Sequence, residues 1–175
     1  GLSGRATSFR GVVPPLLSRV SRVLIPDLLG HGHSEVPPVP LSPNRLTESL
    51  AHGLDALLDR PAVLFGNSLG AYHIVKYASQ KPERVSGVVL CSPGGARLSE
   101  DDFRVARKML QLDTHEDALT LVSRSVARPL GPARHLVASS LRQRLSVPHV
   151  RRFLDDLSLD DALTPSDLGD LKMPV

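Results

Sequence analysis

The side chain best placed for covalent chemistry lies in Gly66-Asn67-Ser68-Leu69-Gly70, a G-x-S-x-G between the apolar run Ala62-Val63-Leu64-Phe65 and a helical pattern that begins at Leu69. In a chain with 13 glycines the bare pattern says little, and its position at a strand-turn-helix junction is what gives it weight. A turn this sharp forces Ser68 into a strained backbone conformation. Side chains two residues to either side would collide with the neighbouring strand and helix, so glycines at 66 and 70 are expected to relieve the clash. The Ser68 hydroxyl is thereby presented as a nucleophile at the head of a helix.

A carbonyl attacked by such a hydroxyl develops an oxyanion, which two preorganised N–H donors stabilise. The Leu69 amide, at the helix start, is one expected donor. The second is expected from a glycine-flanked loop, and Gly1-Leu2-Ser3-Gly4 makes the Leu2 amide the candidate, although on their own these four residues read as an ordinary turn. A base must hydrogen-bond the serine and be oriented by an acid. His31, His73 and His149 are therefore expected to be structural or solvated, Asp27 to order its loop, and Asp101 and Asp102 to serve a helix N-terminus.

Other chemistries lack their residues. There is no G-x-x-x-x-G-K-[ST] for phosphates, no G-x-G-x-x-G for a dinucleotide and no His-Glu-x-x-His for zinc, so neither cofactor nor metal is expected. The single cysteine, Cys91, rules out an internal disulfide. A formal charge of +3 and pI near 9.4 accompany two Tyr, four Phe and no Trp, too few stacking platforms for nucleic-acid binding. With 41% hydrophobic and 22% charged residues the 175-residue composition is globular, and no apolar run approaches the roughly 18 residues that cross a bilayer. No initiating Met or charged leader is present, which reads as a cut N-terminus with a cytoplasmic location as the default. The expected partner is a small-molecule substrate, with the oligomeric state open.

The elements that must position Ser68 fall in two textures. Residues 1–98 alternate short apolar runs with helices. Residues 22–25, 62–65 and 85–91 suit strands buried on both faces of a parallel sheet. Ser42 as N-cap, Pro43 at the first helical position and a Leu41/Leu46 staple start a helix on which Leu46, Leu50, Leu54 and Leu57 recur at helical spacing. A second helix runs from about Leu69 to Lys81, and a weaker one near Phe9 to Arg19 starts late because of Pro14 and Pro15.

Residues 99–163 read as four amphipathic helices. Ser99 with Asp102 and Thr114 with Asp117 cap the first two. Apolar stripes follow at Leu136, Val137, Leu141 and Leu145, then at Val150, Phe153, Leu154 and Leu157. Seven arginines between Arg124 and Arg152 are expected on solvated faces, with one or two free to pair with an anionic substrate. Residues 164–175 return to the first region, and Leu171 to Val175 looks like a strand beginning.

Gly1-Leu2-Ser3-Gly4, then Asp27-Leu28-Leu29-Gly30-His31-Gly32-His33-Ser34, then the Ser68 motif, in this order, resemble the α/β-hydrolase superfamily, with its H-G-x loop, D-x-x-G-H-G-x-S loop and nucleophile elbow. Ala71 departs from the second glycine of many relatives. The resemblance implies an α/β-hydrolase fold with a mostly parallel sheet and a helical cap inserted at residues 99–163. It also implies a fragment: the first strands are missing, and the triad acid and His are expected after Val175. A strand absent between 22–25 and 62–65 leaves those two about 9.5 Å apart, twice the usual spacing. The implied activity is cofactor-free cleavage of a small to medium ester or thioester through Ser68. Alternatives are a carbon–carbon bond hydrolase, an acyltransferase or a non-catalytic member of the fold.

Overall fold

The computed structural model describes residues 1, 2 and 4–175, which form two compact units: residues 1–97 with 161–175, and residues 98–160.

Unit 1 is built around two parallel strands, β1 (Ala62–Asn67) and β2 (Val85–Cys91), paired from Ala62 opposite Val85 to Asn67 opposite Cys91. Its helices are α1 (Val13–Leu17), α2 (Pro43–Leu57) and α3 (Leu69–Gln80), with α8 (Pro165–Gly169) near the end of the chain. Ser42 caps α2 by accepting the Arg45 amide, and Leu41 and Leu46 are both buried as the staple requires. The late start near residue 13 places Pro14 in the first turn of α1, where its missing N–H costs nothing. Leu54, Leu64, Ile74, Tyr77, Ala78, Val85, Val88 and Met173 make the core, so α2 and α3 cover one face of the sheet. Asp55 accepts from the Tyr77 hydroxyl at 2.9 Å and pairs with Lys81, whose ammonium holds its carboxyl below the usual carboxylate range. Arg84 reaches the Asp55 and Leu58 carbonyls and closes the C-terminus of α2.

Several expectations fail in unit 1, for a shared reason. Residues 22–25 form no strand, because no neighbouring strand among the described residues offers them a ladder. α2 and α3 cover one face of β1 and β2, and the other is largely exposed, with Phe9 edge-on to Phe65 at 6.1 Å. Val63 is 65% and Phe65 54% exposed, and burial along β1 alternates with the two-residue period of a strand instead of running continuously. Leu57 at the end of α2 is likewise exposed, whereas α3 ends at Gln80 with Lys81 as its C-cap, as its spacing predicts. Leu171 to Val175 makes a single ladder-like bond, Val88 N–H to the Pro174 carbonyl at 2.9 Å, and is not a strand.

Unit 2 contains α4 (Glu100–Gln111), α5 (His115–Ser125), α6 (Ala133–Leu145) and α7 (Pro148–Asp156). Ser99 accepts the Asp102 amide at the head of α4, and Thr114 with Asp117 forms a reciprocal capping box on α5. α4 ends on a left-handed Leu112, and its last carbonyls are taken by arginines from the other helices. Arg151 donates to the Gln111 carbonyl at 2.5 Å, Arg142 to those of Leu112 and Asp113 at 3.2 and 2.8 Å. Arg151 also pairs with Asp113. The stripe on α6 is displaced from its expected place. Leu136 is 76% exposed and Val137 is exposed, while Ala138 and Leu145, seven residues apart, are buried. The α7 stripe of Val150, Phe153 and Leu154 is buried.

Candidate active site

β1 leads directly into α3 through Ser68, whose φ of 52° and ψ of −119° are conformations a residue with a Cβ rarely adopts. Ser68 N–H extends the ladder by donating to the Cys91 carbonyl at 3.0 Å. Its own carbonyl accepts from three amides, those of Ala71 at 2.9 Å, Tyr72 at 3.1 Å and Gly94 at 3.1 Å. Strand, helix and the loop after β2 thus hold the strained residue from three sides, as a non-glycine at positive φ requires.

The two flanking glycines are not equivalent. A Cβ at Gly66 would run into the backbone of Ala71, with the Ala71 nitrogen only 2.7 Å away. A Cβ at Gly70 would meet nothing nearer than the Gly1 nitrogen at 3.8 Å, so the expected clash there is absent: residue 70 sits on the open side of the first turn of α3. Side-chain collision explains one glycine of the motif and leaves the other unexplained.

The opening residues come to the same place. A Cβ on Gly1 would stand 3.4 Å from Ser68 Cβ and 3.0 Å from Asn67 Oδ1. Leu2 is the next residue, within a turn closed by Gly4 N–H to the Gly1 carbonyl at 2.8 Å. Ser3 lies outside the described residues. The Leu69 amide opens α3 and belongs to the first-turn donors that have no partner within their own helix.

Asp27 organises its loop. Its carboxylate accepts from Ala6 N–H at 2.6 Å and His33 N–H at 3.0 Å, while the Asp27 carbonyl accepts the Ser34 hydroxyl at 2.8 Å. Gly32, at φ 57°, packs so closely that a Cβ would fall on the Asp27 carboxylate. Asp102 accepts from the Ser99 hydroxyl and Asp101 pairs with Arg104, both at the start of α4. His149 lies in unit 2, on α7. His31 is buried with Nδ1 3.0 Å from the Leu29 carbonyl.

His73 is fully buried on α3. The Thr47 hydroxyl donates to the Pro43 carbonyl at 2.9 Å, so its oxygen is left to accept His73 Nδ1–H at 2.8 Å, which fixes the tautomer. His73 Nε2 has no hydrogen-bond partner among the described residues. Burial first, then the charge of nearby His31, pushes the His73 pKa down to about 3. Tyr72, beside it, is pushed up to about 12 by burial and by Asp161 and Asp167.

Two participants escaped sequence reasoning: the Gly94 amide that clamps Ser68, and the Thr47–His73 pair. Ser92-Pro93-Gly94-Gly95 after β2 was the available signal for the first. Ser92 and Gly95 both have positive φ, and a Cβ at Gly95 would strike the Tyr72 ring. Among the described residues no three metal-ligating side chains come together, and no helix is long and apolar enough to cross a membrane.

A family model described as alpha/beta hydrolase fold matches residues 1–162. An uncharacterised protein of Mycobacterium tuberculosis is 28% identical over 161 residues, 90% of this chain and 46% of that protein. The 2-hydroxymuconate semialdehyde hydrolase of a Pseudomonas species is 39% identical over 85 residues, 48% of this chain and 30% of that enzyme. The chain therefore spans less than half the length of these relatives. Among solved structures, a 2-hydroxy-6-oxo-6-phenylhexa-2,4-dienoate hydrolase from a Rhodococcus species superposes with a TM-score of 0.74 at 20% identity, covering 99% of this chain and 67% of that one. A thermophilic esterase from Thermogutta terrifontis gives 0.68 at 25% identity, covering 99% and 66%.

Proposed function

This chain belongs to the alpha/beta hydrolase fold family, and from that premise we propose that the protein containing it is a serine hydrolase with Ser68 as nucleophile. The observation that carries the reading is the φ of 52° and ψ of −119° of Ser68 at the junction of β1 and α3, a conformation outside the left-handed region that Leu112 adopts at the end of α4, whose retention supports a role for the side chain. In the proposed reaction Ser68 Oγ attacks the substrate carbonyl carbon and its proton passes to a histidine oriented by an acid. By family resemblance, both groups come from outside this chain. The oxyanion settles between the Leu69 and Leu2 amides, the proximity of Gly1 to Ser68 supporting the second donor. Collapse expels the leaving group, and water releases the acyl group from Ser68.

The proposed substrate is a small to medium ester or thioester. A second reading, hydrolysis of a carbon–carbon bond beside a ketone, draws on the 39% identity with 2-hydroxymuconate semialdehyde hydrolase. The test has two stages. A fluorophosphonate probe on the whole protein is expected to label Ser68 and to fail on Ser68→Ala; labelling that survives the substitution overturns the assignment. Turnover of p-nitrophenyl acyl esters against loss of a dienolate chromophore then separates the two chemistries. An alcohol acceptor reveals any transfer to a nucleophile other than water. A non-catalytic member of the fold would give neither label nor turnover.

A further inference from the structure

Two histidines outside the hydrolase centre meet on the surface of unit 2. His115 opens α5 and His135 lies in the first turn of α6, 20 residues apart in the chain, so no spacing motif marks them. His115 Nε2 stands 3.2 Å from His135 Nδ1. The ring centroids are 5.5 Å apart and the ring planes 17° from parallel. The excess of the centroid separation over the nitrogen gap takes up both centre-to-nitrogen radii. The rings therefore meet edge to edge, with the two facing nitrogens directed into one gap.

In the neutral pair one facing nitrogen donates its N–H to the other. Both residues are exposed, so water competes for this bond and it adds little to the packing of α5 on α6. The same spacing suits a different partner. Two imidazole nitrogens bound side by side to one ion, with bonds of about 2.0–2.1 Å, stand roughly 2.9–3.4 Å apart for bond angles between square and tetrahedral. The gap between His115 and His135 lies inside that range.

We propose that His115 Nε2 and His135 Nδ1 chelate a divalent transition-metal ion of the kind imidazole favours, which clips α5 to α6. Among the described residues no third metal-ligating side chain joins them, so water completes the shell. The proton between the rings passes by way of water to the far nitrogen of its own ring, His115 Nδ1 or His135 Nε2. Both rings stay neutral and no proton is released. The ion stands to one side of the line joining the nitrogens, and the two exposed rings turn to admit it. It also lies by the first turns of two helices, whose dipoles disfavour a cation. The site is accordingly weaker than a zinc site with four protein ligands.

The test uses the whole protein with Zn²⁺ alone as the probe, in a buffer that does not bind metal. Because the protein carries other histidines, calorimetry compares the parent with His115→Asn, His135→Asn and the double variant, after a check that melting without metal is unaltered. Each single variant is expected to weaken one zinc site at least tenfold, and the double variant to weaken it no further, since a chelate fails when either arm is lost. Zinc is also expected to protect His115 and His135 together from diethylpyrocarbonate, read at each position by peptide mass spectrometry. The protection measurement needs no variant, so it decides the case even where a substitution alters melting. A zinc isotherm identical in the parent and the double variant, or protection of neither histidine or of one without the other, overturns the proposal.

Discussion

The Gly94 amide donates to the Ser68 carbonyl at 3.1 Å, so the loop that follows β2 is tied to the most strained residue of β1's junction with α3. With Ala71 and Tyr72 donating to the same oxygen, Ser68 cannot relax toward ordinary helical or extended geometry without breaking hydrogen bonds to two separate segments. Strain at a candidate nucleophile persists because its surroundings over-determine it.

The glycines flanking Ser68 are expected to respond differently to the same substitution. Gly66→Ala drives a Cβ into the Ala71 backbone, which cannot move without shifting α3, and is expected to cost about 3 kcal/mol or prevent folding. Gly70→Ala meets only ordinary contact and gains helix propensity, so its stability should stay within about 0.5 kcal/mol of the parent or rise. Urea unfolding of the two proteins side by side checks the contrast, and equal losses would refute it.

Ser68 itself separates stability from chemistry. Ser68→Gly and Ser68→Ala both remove the hydroxyl and are expected to abolish fluorophosphonate labelling. Glycine tolerates φ 52° and alanine does not, so Ser68→Gly should be the more stable of the two by about 1 kcal/mol, after allowing for the larger chain entropy glycine loses on folding. Denaturation midpoints measure the difference. A Ser68→Ala protein at least as stable as Ser68→Gly would mean that the strain is absent.

Asp27 should behave as a structural acceptor. Asp27→Ala leaves the Ala6 and His33 amides without their carboxylate and is expected to destabilise by about 1–3 kcal/mol. Proteolytic nicking should appear first within residues 27–35. Because Asp27 orders a loop, labelling of Ser68 should survive wherever the variant remains folded. Loss of labelling in a folded Asp27→Ala protein would point to a direct part in the chemistry.

Local signals were legible where one short segment decides the outcome. Ser42-Pro43 opened α2, Thr114 and Asp117 formed their box, and the apolar run before Gly66 became β1 because each depends on neighbours a few residues away. Residues 22–25 carried the same kind of pattern and formed no strand, since a ladder needs a partner that no run of residues supplies by itself. Leu136 shows the corresponding limit for helices. Apolar spacing gives a stripe, but the packing of α6 against α5 and α7 decides which residues it includes. At the site, the Ser68 turn could be read from five residues. The Gly94 clamp and the Thr47–His73 bond join positions 26 residues apart, and no periodicity marks them.

His73 couples the helix behind Ser68 to pH. Its pKa is held near 3 in the folded protein, below the ordinary value of 6.5, chiefly because burial disfavours the imidazolium. Above about pH 6.5 the ring is neutral whether the chain is folded or not, and its contribution to stability is fully present. As pH falls from 6.5 toward 3, the unfolded chain takes up a proton that the folded protein refuses. Stability is lost across that window at up to about 1.4 kcal/mol per pH unit. His73→Gln can still donate to Thr47 and does not titrate, so it should lose roughly 2 kcal/mol less than the parent between pH 7 and pH 5. Urea unfolding at the two pH values gives the comparison. Equal acid sensitivity in both proteins would show that the ring protonates without resistance and that α3 is open to water beside Thr47.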